Sequence, residues 1–181
     1  MRTTRGHSLT ELLCTTALFG GLLAIALPAF DGLVEGTRAN AVAHRLHAEL
    51  AMAREAALFG RRPVTFCRST NQIDCAPVGA WSEGTMTFED PNRNDRRDPG
   101  ERLIRATRKA DFQGLHLIDH SVRRHIRFRP DGRSAGTNLT LRLCAQDLEP
   151  LRLVIINTGG RVRMTGAPRG TARCGTDASP W

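Results

Sequence analysis

Two arginines near the C-terminus, Arg161 and Arg163, have a spacing that suits phosphate binding. Alternate residues of a β-strand point to the same side, so both guanidinium groups can bind adjacent phosphates while Val162 faces the core. Arg169 and Arg173 follow on a tail rich in Gly and Pro and can extend this patch. No aromatic residue interleaves with these arginines, which predicts phosphate contact with little sequence preference. A strand edge kept soluble by arginine is the structural alternative.

An acidic side chain at the start of an apolar run is the second chemical feature. Glu11 lies within residues 9–30, which as a helix can span roughly 30 Å of hydrocarbon. Arg2 and Arg5 are expected to hold the N-terminus on the cytoplasmic side, so the rest of the chain is exported. An ionised Glu in hydrocarbon costs at least a few kcal/mol and therefore needs a partner. A secretory signal cleaved after Ala29 is the alternative, but Glu11 and the length of the run argue against it.

The five cysteines divide between the apolar run and the exported part. Cys14 lies in the apolar run, and the other four are Cys67, Cys75, Cys144 and Cys174. An even number in an oxidising compartment predicts two disulfides. Three pairings are possible, of which Cys67 with Cys75 and Cys144 with Cys174 is favoured. Metal-binding thiols are disfavoured because no CxxC pair is present.

A loop rich in oxygen-bearing side chains invites comparison with a calcium site. These side chains are Asp90, Asn92, Asn94, Asp98 and Glu101. An EF-hand loop requires Gly at its sixth position, where this chain has Asp95, and it is flanked by helices. Because strands are expected on both sides here, a solvated hairpin loop is the preferred interpretation and no metal site is predicted.

The composition favours a binding or structural protein over an enzyme. The formal net charge is +8, and Lys109 is the single lysine, so a basic face able to meet phosphates is expected. The sequence has no nucleophile elbow, metal quartet or phosphate-binding glycine loop. Three histidines are spaced irregularly and are interpreted as surface or partly packed residues, namely His116, His120 and His125. We therefore predict no catalytic residues and no cofactor.

The spacing of apolar residues along the sequence predicts the helices and strands that carry the arginines, cysteines and acidic residues described above. A spacing of three and four predicts an amphipathic helix that continues the apolar helix through residues 31–60 and ends at Gly60, with an apolar face of Val42, Leu46, Leu50, Ala53 and Ala57. Beyond Pro63 the period changes to two. Short strands are expected at 64–67, 85–88, 103–106, 115–118, 126–128, 139–143 and 151–156. The predicted class is α+β, in which a long N-terminal helix packs on an antiparallel β-sheet head formed by residues 61–181.

The N-terminal segment resembles the class III signal of type IV pilins and type II secretion pseudopilins. The residues that carry this resemblance are Gly6, His7, the run Ser8-Leu9-Thr10-Glu11, and Pro28, although His7 stands where Phe is usual. The resemblance implies that residues 1–6 are a leader, that a prepilin peptidase cleaves between Gly6 and His7, and that His7 is then N-methylated. It also implies a pilin fold in which residues 7–30 are a transmembrane and assembly helix.

The resemblance to pilins also implies a role for Glu11 in filament assembly. In a filament of packed N-terminal helices, the α-amino group of one subunit can neutralise the carboxylate of its neighbour. A Glu11 side chain that reaches the lipid headgroups before assembly is the alternative and is compatible with this pairing. The partners implied are the inner membrane and other pilins.

The exported part is similar to the heads of GspH/FimT-type minor pilins and pseudopilins. The motifs are Val64-Thr65-Phe66-Cys67, Cys75, Trp81, Phe88-Glu89-Asp90-Pro91-Asn92, Asp98-Pro99-Gly100-Glu101, Phe128-Arg129-Pro130-Asp131-Gly132-Arg133, Asn138-Leu139-Thr140 and Cys144. In addition, the core Gly160 to Arg163 matches a motif that contributes to DNA binding in FimT-like minor pilins.

Two functions are compatible with this resemblance. The first is a minor pilin, initially in the inner membrane with its head in the periplasm and then in a pilus at the cell surface, that binds extracellular double-stranded DNA during natural transformation. Its DNA-binding residues would be Arg161, Arg163, Arg169 and Arg173. The second is a GspH-like pseudopilin or FimU-like minor pilin that primes or caps filament assembly without binding DNA.

Overall fold

The computed structural model describes residues 8–119, 124–136, 138–145, 149–168 and Cys174, without the side chains of residues 26–29 and 31. The chain divides into two compact units, residues 1–37 and 38–181. One continuous helix, α1, runs from Leu9 to Gly60, which confirms the predicted helix and its end at Gly60. The expected leader 1–6 and the processing site at His7 lie outside the described residues.

The helical part of the first unit exposes most of its large apolar side chains. They include Leu9, Leu12, Leu18, Phe19, Leu22 and Ile25. The predicted transmembrane segment 7–30 is not detected, because none of the described helical residues form a stretch long and apolar enough to cross a membrane. The side chains of residues 26–29, which belong to that segment, lie outside the described residues.

The second unit contains two four-stranded antiparallel sheets. The first has the order β3-β2-β1-β5, and the second the order β4-β6-β7-β8. The strands are β1 (Val64–Arg68), β2 (Gly84–Glu89), β3 (Leu103–Arg108), β4 (His116–Asp119), β5 (His125–Phe128), β6 (Leu139–Cys144), β7 (Pro150–Ile156) and β8 (Val162–Gly166). Each strand predicted from the period of two is confirmed within a residue or two. The division into two sheets was not predicted.

The apolar face of α1 forms one core with both sheets. The predicted helix positions Val42, Leu46, Leu50, Ala53 and Ala57 are all buried, as are Ala39 and Ala43. They cluster with Phe66 and Phe128 of the first sheet and with Leu141, Leu143, Val154 and Ile156 of the second. The spacing of three and four therefore places a continuous apolar stripe against the sheets.

One carboxylate, Glu49, is buried in this core. Its Oε1 accepts a hydrogen bond of 2.7 Å from the Thr87 hydroxyl, and its Oε2 lies 3.8 Å from Nε of Arg105. Among the described residues, that Oε2 has no hydrogen-bond donor. Burial raises the pKa of Glu49, and the Thr87 hydrogen bond and the Arg105 charge oppose the rise only in part.

Glu49 is expected to make stability depend on pH. Because its folded-state pKa is raised above the unfolded value of 4.5, the folded state holds a proton that the unfolded state has lost, so the free energy of unfolding falls as pH rises from about 4.5 through the folded-state pKa. Glu49→Gln keeps an acceptor for Thr87 and removes the charge, so urea titrations at several pH values should show a flatter profile. Glu55→Gln, on the exposed side of the same helix, is the control and should retain the wild-type slope. Equal slopes for wild type and Glu49→Gln would contradict this prediction.

Candidate nucleic-acid interface

A tight turn joins β7 and β8 and presents the predicted arginines. The Gly160 N–H donates to the Asn157 carbonyl at 2.8 Å, and the Asn157 N–H donates to the Arg161 carbonyl at 3.2 Å. The Asn157 side-chain oxygen also accepts from the Arg161 N–H at 2.9 Å. These bonds form a turn at Gly159-Gly160, in which Asn157 fixes the closing residues.

Arg161 and Arg163 project away from the core. Arg161 immediately precedes β8, which is an edge strand, and Arg163 lies within it. Both arginines are exposed, whereas Val162 and Met164 are half-buried and pack against the core cluster. The predicted alternation is therefore observed, and the two guanidinium groups share one side of the strand. Arg169 and Arg173, the other two predicted contacts, lie outside the described residues.

Gly160 is required where two turns meet. Its φ is +76°, a conformation that favours glycine, and a Cβ at this position would overlap the Gly132 carbonyl oxygen. Nε of Arg54, on α1, donates to the same carbonyl at 2.9 Å. The helix, the Gly132 turn and the Gly160 turn thus meet at one point. The sequence alone predicts a turn at Gly159-Gly160 but not this close approach to Gly132, which arises from tertiary contact.

The Gly132 turn adds two further arginines to this end of the second unit. The Arg129 N–H donates to the Arg133 carbonyl at 2.9 Å, and the Gly132 N–H donates to the Arg129 carbonyl at 2.8 Å. Arg129 and Arg133 are both exposed at the two ends of this turn. Because the turn contacts Gly160, these arginines belong to the same end of the fold as Arg161. We call Arg129, Arg133, Arg161 and Arg163 the basic end.

The oxygen-rich loop after β2 is organised by its own hydrogen bonds. The side-chain amides of Asn92 and Asn94 each donate to Oδ2 of Asp98 at 2.8 Å, and these bonds lower the pKa of Asp98. Asp90 is fully buried and accepts from the Thr65 hydroxyl at 2.8 Å and from Nη2 of Arg127 at 3.1 Å. Within the described part of the chain, no group of three or more acidic, His or Cys side chains is arranged to hold a metal ion.

Both predicted disulfides are present. Cys67 is bonded to Cys75 with a Cα–Cα distance of 5.6 Å. Cys144, at the end of β6, is bonded to Cys174 with a Cα–Cα distance of 6.3 Å. The second bond ties the segment after β8 to the sheet that carries Arg163. Cys14 is a free, exposed thiol.

Glu11 lies in the first turn of α1, next to a residue that caps the helix. The Glu11 N–H donates to Oγ of Ser8 at 3.2 Å, and the Leu12 N–H donates to the Ser8 carbonyl at 3.1 Å. Ser8 therefore caps α1, and Glu11 lies in the first turn, where the helix dipole favours a negative charge. The Ser-x-x-Glu spacing is the signal that could have revealed this cap.

Comparison with known proteins identifies the family. A family model described as type II transport protein GspH matches residues 42–160, well over half of the chain. The chain belongs to the GspH family. No curated protein sequence matches this GspH-family chain. The family match ends at Gly160, so Arg161 and Arg163 lie immediately beyond it.

Two crystal structures of the type IV minor pilin FimU from Pseudomonas aeruginosa are similar to this GspH-family chain. The structure in space group P65 is 21% identical, has a TM-score of 0.55, and covers 75% of this chain and 98% of FimU. The structure in space group P21 is 20% identical, has a TM-score of 0.58, and covers 78% of this chain and 98% of FimU. The α+β pilin fold is thereby confirmed. Family and fold together support a structural role as a minor type IV pilin or pseudopilin that interacts with other pilins, and such proteins are typically not enzymes.

Proposed function

We propose that this GspH-family chain is a minor type IV pilin that binds extracellular double-stranded DNA and serves DNA uptake in natural transformation. The observation that carries the proposal is the pair Arg161 and Arg163, exposed on the same side of an edge strand and held in place by a fixed turn. Arg169 and Arg173 are proposed to extend the contact.

The geometry favours contact with the phosphate backbone. Guanidinium groups form bidentate, charge-assisted hydrogen bonds with phosphate oxygens, and neither Arg161 nor Arg163 has an ion-pair partner among the described residues. Both therefore remain able to bind a ligand. The basic end also places Arg129 and Arg133 beside them, and like-charged neighbours strengthen the attraction for a polyanion. We expect the affinity for DNA to depend strongly on salt concentration and little on base sequence.

Removing the two guanidinium groups is expected to weaken DNA binding. For the full chain in detergent micelles, Arg161→Gln with Arg163→Gln should raise the Kd for a short duplex at least about tenfold, because the loss of a single charged hydrogen bond of about 1.5–3 kcal/mol is enough for that factor. Fluorescence anisotropy at one fixed salt concentration measures the change. The control pair Arg38→Gln with Arg108→Gln removes the same charge from exposed positions on α1 and on β3 of the other sheet, and it should alter Kd much less. An unchanged Kd in the first pair would refute the assignment of these residues.

The N-terminal unit is proposed to anchor the chain in the inner membrane and then in the filament. Its exposed apolar side chains require a covering partner, which lipid supplies first and neighbouring pilins supply later. Cleavage between Gly6 and His7 by a prepilin peptidase, with methylation of His7, would free the amine that pairs with Glu11 of a neighbouring subunit.

The charge of Glu11 is expected to matter for filament assembly. Glu11→Ala and Glu11→Gln should both insert into the membrane and both be depleted from sheared pili, as measured by immunoblot. Glu11→Gln keeps a polar side chain at the third position after the Ser8 cap, so its depletion separates the intermolecular charge from local capping. Glu35→Ala is the control and should assemble normally. Normal incorporation of Glu11→Gln would rule out the charge pairing.

A minor pilin or pseudopilin that primes or caps assembly is the second candidate function. Two observations favour it: the GspH match ends before Arg161, and the fold is that of FimU. This candidate predicts that the wild-type chain enters filaments or starts their assembly but has no measurable affinity for duplex DNA. The DNA titration described above therefore distinguishes the two functions.

A further inference from the structure

A cavity of about 270 Å³ lies where β1 begins and β5 ends, lined by Pro63, Arg93, Arg127, Arg129 and Ala135. Three of these five residues are arginines and none is acidic. The cavity is slightly smaller than the roughly 300 Å³ at which pockets for drug-sized ligands begin, and it has room for a small anion together with water. We propose that this cavity is a phosphate-binding site that is separate from Arg161 and Arg163.

Arg127 is a fixed donor at the cavity wall. Its side chain is only 15% exposed, and its Nε donates to Oγ1 of Thr65 at 3.1 Å. Its Nη2 donates to the buried Asp90 and also to Asp95. Its Nη1, by contrast, forms no hydrogen bond with the described residues. The protein therefore already holds the Arg127 guanidinium in place, so this side chain needs little further ordering to line a ligand site.

Arg93 and Arg129 supply the charge that Arg127 does not. Because Asp90 and Asp95 offset the charge of Arg127, that residue contributes mainly a directed N–H group. Arg93 is exposed, and its carbonyl oxygen lies 3.4 Å from Nη2 of Arg127, so its backbone lies beside the cavity. Arg129 is 60% exposed, and its Nε lies 3.9 Å from Asp131. An exposed ion pair at that distance is weak because water screens it, so it competes weakly with a bound anion.

A phosphate group matches these donors better than a carboxylate does. Three arginines line the cavity, and a tetrahedral phosphate offers them acceptor oxygens in more directions than the two coplanar oxygens of a carboxylate. The phosphate can belong to a nucleic-acid backbone or be free in solution. A phosphate of the nucleic-acid backbone as ligand rests on the proposed function. Arg129 begins the turn that contacts Gly160, so the cavity lies close enough to Arg161 for one nucleic-acid strand to reach both. Free phosphate as ligand does not depend on the proposed function.

Calorimetric titration with inorganic phosphate tests the site directly. The full chain in detergent micelles is titrated at constant ionic strength, with chloride as the balancing anion. We expect saturable one-site binding by wild type and at least tenfold weaker binding by Arg93→Gln with Arg129→Gln. Both side chains are exposed, so the double variant should retain the wild-type melting temperature. The matched control, Arg38→Gln with Arg108→Gln, removes two exposed charges elsewhere and should bind phosphate as wild type does.

The outcomes separate this site from the proposed function. Absence of saturable binding by wild type, or wild-type affinity in Arg93→Gln with Arg129→Gln, overturns the proposal. Displacement of bound phosphate by a short duplex assigns the cavity to a DNA backbone phosphate, and retention in the presence of duplex assigns it to free phosphate. Arg161→Gln with Arg163→Gln should still bind phosphate. A chain that binds phosphate but not DNA would therefore refute the proposed function and leave the cavity site intact.

Discussion

Gly160→Ala is expected to lower the free energy of unfolding by about 3 kcal/mol or more. The residue has a φ of +76°, which costs a non-glycine residue about 1 kcal/mol or more. The new Cβ would also overlap the Gly132 carbonyl oxygen, which is part of the backbone and has little freedom to move away. Separating the two turns would break the 2.9 Å hydrogen bond from Arg54, and a bond to a charged donor contributes about 1.5–3 kcal/mol. Urea unfolding followed by circular dichroism measures the total.

Gly166→Ala is the matched control for this substitution. Gly166 lies on the neighbouring strand β8, and a Cβ there meets no atom within 4 Å. We expect a change within about 0.5 kcal/mol, as is usual for surface substitutions. If the two alanine variants unfold at the same urea concentration, the close contact between the Gly160 and Gly132 turns does not stabilise the fold.

Removing the Cys144–Cys174 disulfide is expected to cost about 3.6 kcal/mol of stability. The bond closes a loop with a sequence separation of 30, and the stabilisation by a disulfide rises with the logarithm of loop length because a longer loop loses more freedom in the unfolded chain. Cys144→Ser with Cys174→Ser removes the bond without leaving an unpaired thiol. Chemical unfolding under oxidising conditions gives the free energy.

The other disulfide provides the comparison. Cys67–Cys75 has a sequence separation of 8, for which the same relation gives about 2.5 kcal/mol. Cys67→Ser with Cys75→Ser should therefore destabilise the chain less than the Cys144 and Cys174 pair does. A reversed order would show that the longer loop is not constrained mainly through the unfolded state.

Much of the fold could be predicted from the local spacing of apolar residues in the sequence. The buried face of α1 and the strands of the second unit follow spacings of three to four and of two, because the side chains that face a core must repeat with the element that carries them. The division of the strands into two sheets could not be predicted from the sequence. β1 pairs with β5, Val64 opposite Phe128, whereas β4 pairs with β6, His116 opposite Cys144. Such pairings join residues far apart in the chain, and no local pattern specifies them.

The candidate nucleic-acid interface was likewise predicted only in part. The alternation of Arg161, Val162 and Arg163 predicted two exposed guanidinium groups on one side of a strand, and the structure has them there. The need for Gly160 was hidden, because it arises from a contact with Gly132 in another turn. The arginine cavity was hidden for the same reason, since Arg93 and Arg127 come together only when the loop after β2 folds over β5. Sequence identifies the side chains able to bind phosphate, and tertiary contacts decide which of them converge.

The salt dependence of DNA affinity tests the central claim most directly. Each phosphate contact contributes about 0.9 to the slope of log K against log salt concentration, so loss of both guanidinium groups should reduce the magnitude of that slope by about 1.8. Wild type, Arg161→Gln with Arg163→Gln, and Arg38→Gln with Arg108→Gln are compared over the same range of salt. We predict the reduced slope in the first pair only. A slope equal to that of wild type in the first pair would show that Arg161 and Arg163 do not contact the DNA backbone.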